Sequence, residues 1–256
     1  MPKTKSPILE FDNTRKAFIN PTDMTKRVKG FPRHCVLCFF QDVFMDFKRR
    51  GLLKEISEIQ SESGTMPIYS IKRPGGKAAF FHVPVGAPFA TGCLEEIIAK
   101  GADRFIVCGG AGVLARDVAV GHLAIPVSAV RDEGTSYHYL PPGREVRPSP
   151  KALKTVLEEL RERGLPHITG KTWTTDAFYR ETPAKIARRK REGCITVEME
   201  AAALFAVARF RKTEMAAILY SGDSLAGEEW DSRGWHTRKD VRRNLALLAL
   251  DICLAL

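Results

Sequence analysis

What this chain lacks narrows its identity before anything it contains. No apolar run approaches the ~20 residues a helix needs to cross a bilayer, so an integral helical membrane protein is excluded. The N-terminal MPKTKSPILEFDNTRK carries positive charge with no apolar stretch behind it and does not read as a secretory signal. The expected setting is therefore soluble and cytoplasmic. Metal-ligand spacing is also missing: the six histidines, at positions 34, 82, 122, 138, 167 and 236, are scattered, and no metal centre is expected. Neither a GxxxxGK[ST] loop nor a GxGxxG fingerprint occurs, which removes the usual signatures of triphosphate hydrolysis and of dinucleotide binding. Repeats, low-complexity tracts and a convincing linker are absent, and 256 residues fit one large domain.

Cysteine is scarce and placed apolarly. Cys35, Cys38, Cys93, Cys108, Cys194 and Cys253 sit mostly in hydrophobic segments, where a reduced thiol packs as a small hydrophobe. Cys35 and Cys38 form a CxxC, but HCVLCFF is strand-like, and positions i and i+3 of a strand point to opposite faces. Charge of one sign is in excess: 40 Lys and Arg against 30 Asp and Glu give a formal +10. That field attracts polyanions. However, the densest cluster, ARRKRE at 187–192, lacks interleaved aromatics for base stacking and reads as a solvated helix face. No nucleic-acid or membrane partner is expected; a small anionic substrate is compatible with the excess.

The first 32 residues are polar and read as an N-terminal arm, with residues 33–256 as the folded domain. From Arg33 onward, apolar runs alternate with amphipathic stretches. CVLCFF (35–40), AAFFHVPV (78–85), RFIVCGG (104–110), LAIPVSAV (123–130), HITGKTWTT (167–175) and MAAILYSG (215–222) read as strands. Helices are expected through Val43 to Phe47, at 88–100, from Ser149 and Pro150 to about Arg163, over 197–209, and from about Thr237. The alternation predicts a single α/β domain, a doubly wound sheet flanked by helices, with ligands gathering at the carboxyl ends of strands.

Three strand ends carry unusual residues. Gly109, Gly110, Ala111 and Gly112 come after RFIVC, and such a turn either brings backbone amides close to a ligand or serves tight packing. Glu198 and Glu200 flank Met199 where a strand meets an apolar helix; they either await a ligand's hydroxyls or favour the positive end of the helix dipole. Asp223 comes directly after MAAILYSG, and it either acts on a ligand or caps the next turn of the chain. His138 reads as structural.

These residues resemble the nucleoside phosphorylases of the purine and uridine phosphorylase type, with their hydrolytic relatives, from about Cys35 to the C-terminus. VEMEAAAL (197–204) with Asp223 about twenty residues later is the most specific element. VGAP (85–88), GGAG (109–112), VRDEGTSYHY (130–139) and TTDAFYRE (174–181) accompany it, and VRDEGTSYHY leans towards uridine phosphorylase. The resemblance implies a mixed central sheet flanked by helices, in one domain. It implies that Glu200 holds the ribose hydroxyls, with Met199 under the sugar and Glu198 beside it. Phe178 and Thr175 then lie on the base side, and Asp223 protonates the departing base. Gly109 and Gly110 fall at the nucleophile site. Cleavage builds positive charge on ribose and negative charge on the base, and carboxyl groups so placed favour that transition state.

The resemblance implies a phosphorylase taking a nucleoside and inorganic phosphate to free base and ribose 1-phosphate, with no further cofactor, as a dimer or hexamer. The family's GDPxR phosphate loop is replaced by CFFQDV (38–43), Val107 stands where an arginine is usual, and Gly110 replaces a hydroxyl residue. Two alternatives remain. Arginines elsewhere, such as Arg33, Arg73 or Arg116, take the phosphate, or water is the nucleophile with Asp42 beside it. A relative that binds nucleoside without turning it over is a third reading, and Asp223 beside Glu200 argues against it.

Overall fold

The computed structural model describes residues 6–256; the first five residues of the expected arm lie outside the described residues. Within the arm, a short helix α1 (Pro21–Met24) starts at Asn20, whose backbone N–H donates to Asp23. The arm is pinned to the domain where Lys100 Nζ donates to Thr25 Oγ1 at 2.5 Å and the Val28 N–H donates to the Lys100 carbonyl at 3.1 Å. Arg15 adds a hydrogen bond to the Phe210 carbonyl and lies over the Phe210 ring.

Strand β1 (His34–Cys38) shows how the core is layered. Val36 and Cys38 enter one apolar cluster, and Cys35 and Leu37 enter the other. This is the period-two alternation of a strand buried on both faces, and it separates the two thiols of the CxxC. Helix α2 (Gln41–Arg49) is next, then strands β2 (Leu53–Ser61), β3 (Gly64–Arg73) and β4 (Gly76–His82). After them come α3 (Ala87–Lys100), β5 (Arg104–Val113), β6 (Leu123–Asp132), the short β7 (Glu145–Val146), α4 (Pro150–Glu162) and β8 (His167–Thr175). The chain ends with α5 (Pro183–Arg191), β9 (Cys194–Glu198), α6 (Ala201–Arg211), β10 (Glu214–Ser224) and α7 (Lys239–Leu254). Helices α2, α4 and α7 pack on one face of the sheet, and α3 and α6 on the other.

The mixed α/β sheet and its flanking helices match the sequence reading, but the sheet is not an open doubly wound one. Its order is β10-β6-β8-β9-β5-β1-β4-β3-β2, with β7 on β6, and β10 also pairs with β5. Strands β5, β10, β6, β8 and β9 thus close a ring, from which β1, β4, β3 and β2 extend as a wing. The closure arises because β10 runs parallel to β5 from Glu214 to Ser221 on one edge and meets β6 antiparallel at Leu219 and Tyr220 on the other. Three local expectations also shift. The GGAG segment is not a turn, since Gly109 to Gly112 lie inside β5. The apolar helix starts at Ala201 rather than at Val197, which belongs to β9. The basic cluster at 187–192 is only partly a solvated face: Arg189 is buried and donates to Asp132 at 2.9 Å, the same carboxylate that accepts from Trp173 Nε1 at 2.9 Å.

Sheet geometry leaves one opening. β5 is flanked by β1 as far as Cys108, and β9 joins the ladder at Gly112. Between those points β1 and β9 diverge, and a cavity occupies the crevice at the strands' carboxyl ends, where α/β sheets bind ligands.

Candidate active site

The cavity has a volume of about 470 Å³ and is lined from every part of the domain that meets there. Met199 and Glu200 come from the turn between β9 and α6, Asp223 from the end of β10, and Phe178 from a short 3-10 turn after β8. Gly109 and Gly110 supply the β5 wall. Their lack of side chains is needed for packing: a Cβ on Gly110 would meet the Tyr220 ring at 3.0 Å, and one on Gly109 would meet the Phe39 ring at 3.3 Å.

The two glutamates expected beside the sugar have different jobs. Glu198 lines the cavity, but its carboxylate is consumed locally. Oε2 accepts from the backbone N–H groups of Glu200 (2.8 Å) and Ala201 (2.6 Å), and Oε1 accepts from Thr174 Oγ1 (2.6 Å). The arrangement places a negative charge at the first N–H groups of α6. Burial raises the Glu198 carboxyl above its ordinary value, and the four donors, Thr174 first among them, oppose that rise. Glu200 is 7% exposed, and its Oε1 accepts from the Gly86 N–H at 2.6 Å. Gly86 reaches that position with φ +107°, a conformation that explains the glycine of VGAP. Burial, then the charge of Glu198, pushes the Glu200 carboxyl up to about 8. A carboxyl raised by burial in this way is poised to gain from hydroxyl donors or from a cation.

Asp223 meets a residue that the sequence reading did not single out. Trp230 Nε1 donates to its Oδ2 at 2.7 Å. A second acid, Glu181, shares the same cavity wall, and burial, then the charge of Asp223, pushes it up to about 7. Glu181 stands three residues after Phe178, so its only sequence signal was membership of TTDAFYRE. Phe178 is half exposed, packed against Tyr179 with ring centroids 4.0 Å apart.

Two expected site residues fall outside the cavity. Thr175 is 2% exposed and its hydroxyl accepts from the Ala177 N–H at 3.3 Å, so it shapes the turn that carries Phe178. Asp42 projects from α2 away from the cavity wall, which takes the neighbouring Gln41 instead. Helical geometry is the reason: consecutive residues point about 100° apart. Asp42 lies 2.8 Å from Arg242 Nη2, and Arg242 does line the cavity. Neither Arg33, paired with Asp103, nor Arg73, paired with Asp251, reaches it, and Arg116 lies outside the cavity lining. The segment 130–139 is a structural knot in which buried Arg131 donates to Ser136 Oγ (2.8 Å) and to the Pro141 carbonyl (2.8 Å). His138 is exposed and lines a separate surface pocket that Arg15 of the arm also borders.

Comparison with known proteins identifies the family. A family model described as the phosphorylase superfamily matches residues 33–254. The chain belongs to the phosphorylase superfamily. Among relatives of this superfamily member, a guanosine phosphorylase from Halorubrum lacusprofundi is 27% identical over 174 residues, covering 68% of this chain and 72% of that protein. A uridine phosphorylase from Thermococcus kodakarensis is 36% identical over 98 residues, covering 37% of this chain and 34% of that one. The superfamily fold is shared with an AMP nucleosidase from Bacteroides thetaiotaomicron, with a TM-score of 0.70 at 22% identity over 89% of this chain and 90% of that one. Among the described residues, no helix of this phosphorylase-superfamily chain is long and apolar enough to cross a membrane.

Proposed function

We propose that this protein is a nucleoside phosphorylase, related to the uridine phosphorylases, that cleaves an N-glycosidic bond with inorganic phosphate to give free base and ribose 1-phosphate. The observation that carries the reading is the shared cavity in which Glu200 and Met199 face the acids Asp223 and Glu181. Glu200 takes the ribose hydroxyls and, as a carboxylate, stabilises the cationic sugar of the transition state. Phe178 lies against the base. Burial, then the charge of Asp223, pushes the Glu181 carboxyl up to about 7, so Glu181 can carry a proton near neutral pH and pass it to the departing base, with Asp223 beside it. Among the described residues, no arginine other than Arg242 lines the cavity that holds these acids and Phe178. This favours a base that presents N–H donors and takes up a proton, as a purine does, over one read through its carbonyl oxygens. The active unit is a homo-oligomer, as in the family.

The test is product analysis. The purified protein is incubated with purine and pyrimidine nucleosides, with and without phosphate, and the free base and the sugar are identified. Ribose 1-phosphate formed only with phosphate, fastest from a purine nucleoside, is the expected result. Free ribose formed without phosphate would replace the phosphorylase with a nucleosidase, and binding without base release would make the protein a nucleoside-binding relative.

A further inference from the structure

The family's phosphate-binding arginines are missing from CFFQDV and from position 107, yet the cavity holds one cationic side chain. Among the Lys and Arg side chains of the described residues, only Arg242 lines it. Arg242 enters from α7, and its side chain is 12% exposed. The guanidinium carbon lies 4.9 Å from the centroid of the Phe40 ring, which itself packs against Tyr220 with centroids 5.7 Å apart. Tyr220 in turn fills the space beside Gly110. The arginine is thus held by an aromatic stack at the carboxyl ends of β1 and β5, the position that the nucleophile must share with the sugar.

Its ion pair is incomplete. Asp42 Oδ1 is 2.8 Å from Nη2, but the two are not aligned as a hydrogen bond; Oδ1 and Arg242 Nε are both buried without a hydrogen-bond partner. A buried guanidinium with unused donors is costly, and a tetrahedral oxyanion is what its fork fits best. The neighbouring arginines lie outside the cavity lining: Arg233 donates to the carbonyls of Gly222 (2.9 Å) and Val118 (2.7 Å), with its Nη2 left unpartnered, and Arg238 donates to the Arg233 carbonyl (3.2 Å).

We infer that Arg242, fixed over Phe40 and restrained by Asp42, binds the phosphate nucleophile in this chain, in place of the arginines that the family carries after β1 and in β5. The inference rests on the phosphorylase reading above. Phosphate held there donates an oxygen to C1′ as the bond to the base breaks; the electron pair leaves with the base, which takes the proton carried by Glu181. Asp42 acts as a positioning residue: it sets the guanidinium plane and offsets part of its charge.

The experiment is steady-state base release at varied phosphate for the wild type, Arg242→Gln, Arg242→Lys and Asp42→Asn, with nucleoside saturating and then varied. Arg242→Gln is expected to raise KM for phosphate by about tenfold or more with KM for nucleoside within about twofold, since it removes a charge-assisted contact to phosphate alone. Arg242→Lys should fall between, and Asp42→Asn, which frees the guanidinium, should lower KM for phosphate several-fold. An unchanged KM for phosphate in folded Arg242→Gln overturns the inference; if that variant does not fold, an unchanged KM in Asp42→Asn does so. A wild type that releases base equally well without phosphate removes the phosphorylase reading itself, a different result from phosphorolysis that ignores Arg242.

Discussion

The two ends of the cavity are built in opposite ways. The sugar end is local and dense: Glu198, Met199 and Glu200 are consecutive, and the carboxylate of Glu198 is satisfied by four donors from β8 and the first turn of α6. The nucleophile end is assembled from distant parts of the chain, with Phe40 from the end of β1, Gly110 from β5 and Arg242 from α7, and its polar groups are under-satisfied. A satisfied network holds geometry, whereas an unsatisfied one waits for a ligand. Under the proposed function, Glu198 serves architecture, whereas Glu200, two residues away, and Arg242 serve chemistry.

The largest effect that would break this contrast is Glu200→Ala. Turnover should fall roughly 10³-fold with the fold intact, as judged by circular dichroism, because the transition-state charge loses its counter-charge. Near-normal activity would remove Glu200 from the sugar site. Glu181→Gln should cost about 10²-fold on ordinary nucleosides and far less on substrates with activated leaving groups, since general acid catalysis matters only when the base must be protonated. Equal losses on both would make Glu181 structural.

Glu198→Gln sharpens the comparison from the other side. The amide cannot accept at every position that the carboxylate does, so a thermal melt should report a loss of about 1–3 kcal/mol, with activity falling only as the fold does. A pH dependence tests Glu200 itself. The Glu200 carboxyl is raised from 4.5 to about 8 in the native protein, so between those values the native state binds more protons than the unfolded chain, and stability falls as pH rises. Glu200→Gln removes that dependence. Its Tm relative to wild type should therefore increase between pH 5 and pH 8, by about 2–4 °C for each kcal/mol; a constant difference across that range would mean that Glu200 is already ionised in the native protein at pH 5.

The grouping of Glu198, Met199 and Glu200 at the cavity was legible in the sequence because the residues are adjacent and the motif is dense. So were most strands, whose apolar runs are buried on both faces. The β2 and β3 hairpin was not, because LKEISEIQS is mostly exposed and offers neither an apolar run nor a clean alternation. Arg242 was invisible for a different reason. In KDVRRNLALL it is one of two adjacent arginines at a helix start, and only the packing of α7 against β1 distinguishes it from Arg243. Asp42 was legible as an acid near the site, but not its direction, which the helical phase of α2 decides.

Ring closure in the sheet has a kinetic consequence. The pairing of Arg104 with Glu214 joins strands separated by roughly a hundred residues of chain, and contacts of such long range form slowly because loop entropy opposes them. Asp223, at the far end of β10, and Arg242, beyond it on α7, reach the cavity only after that closure. Secondary structure should therefore return early in refolding, with catalysis lagging behind it, and a ribosome must release most of the chain before any part of the pocket can engage a nucleoside.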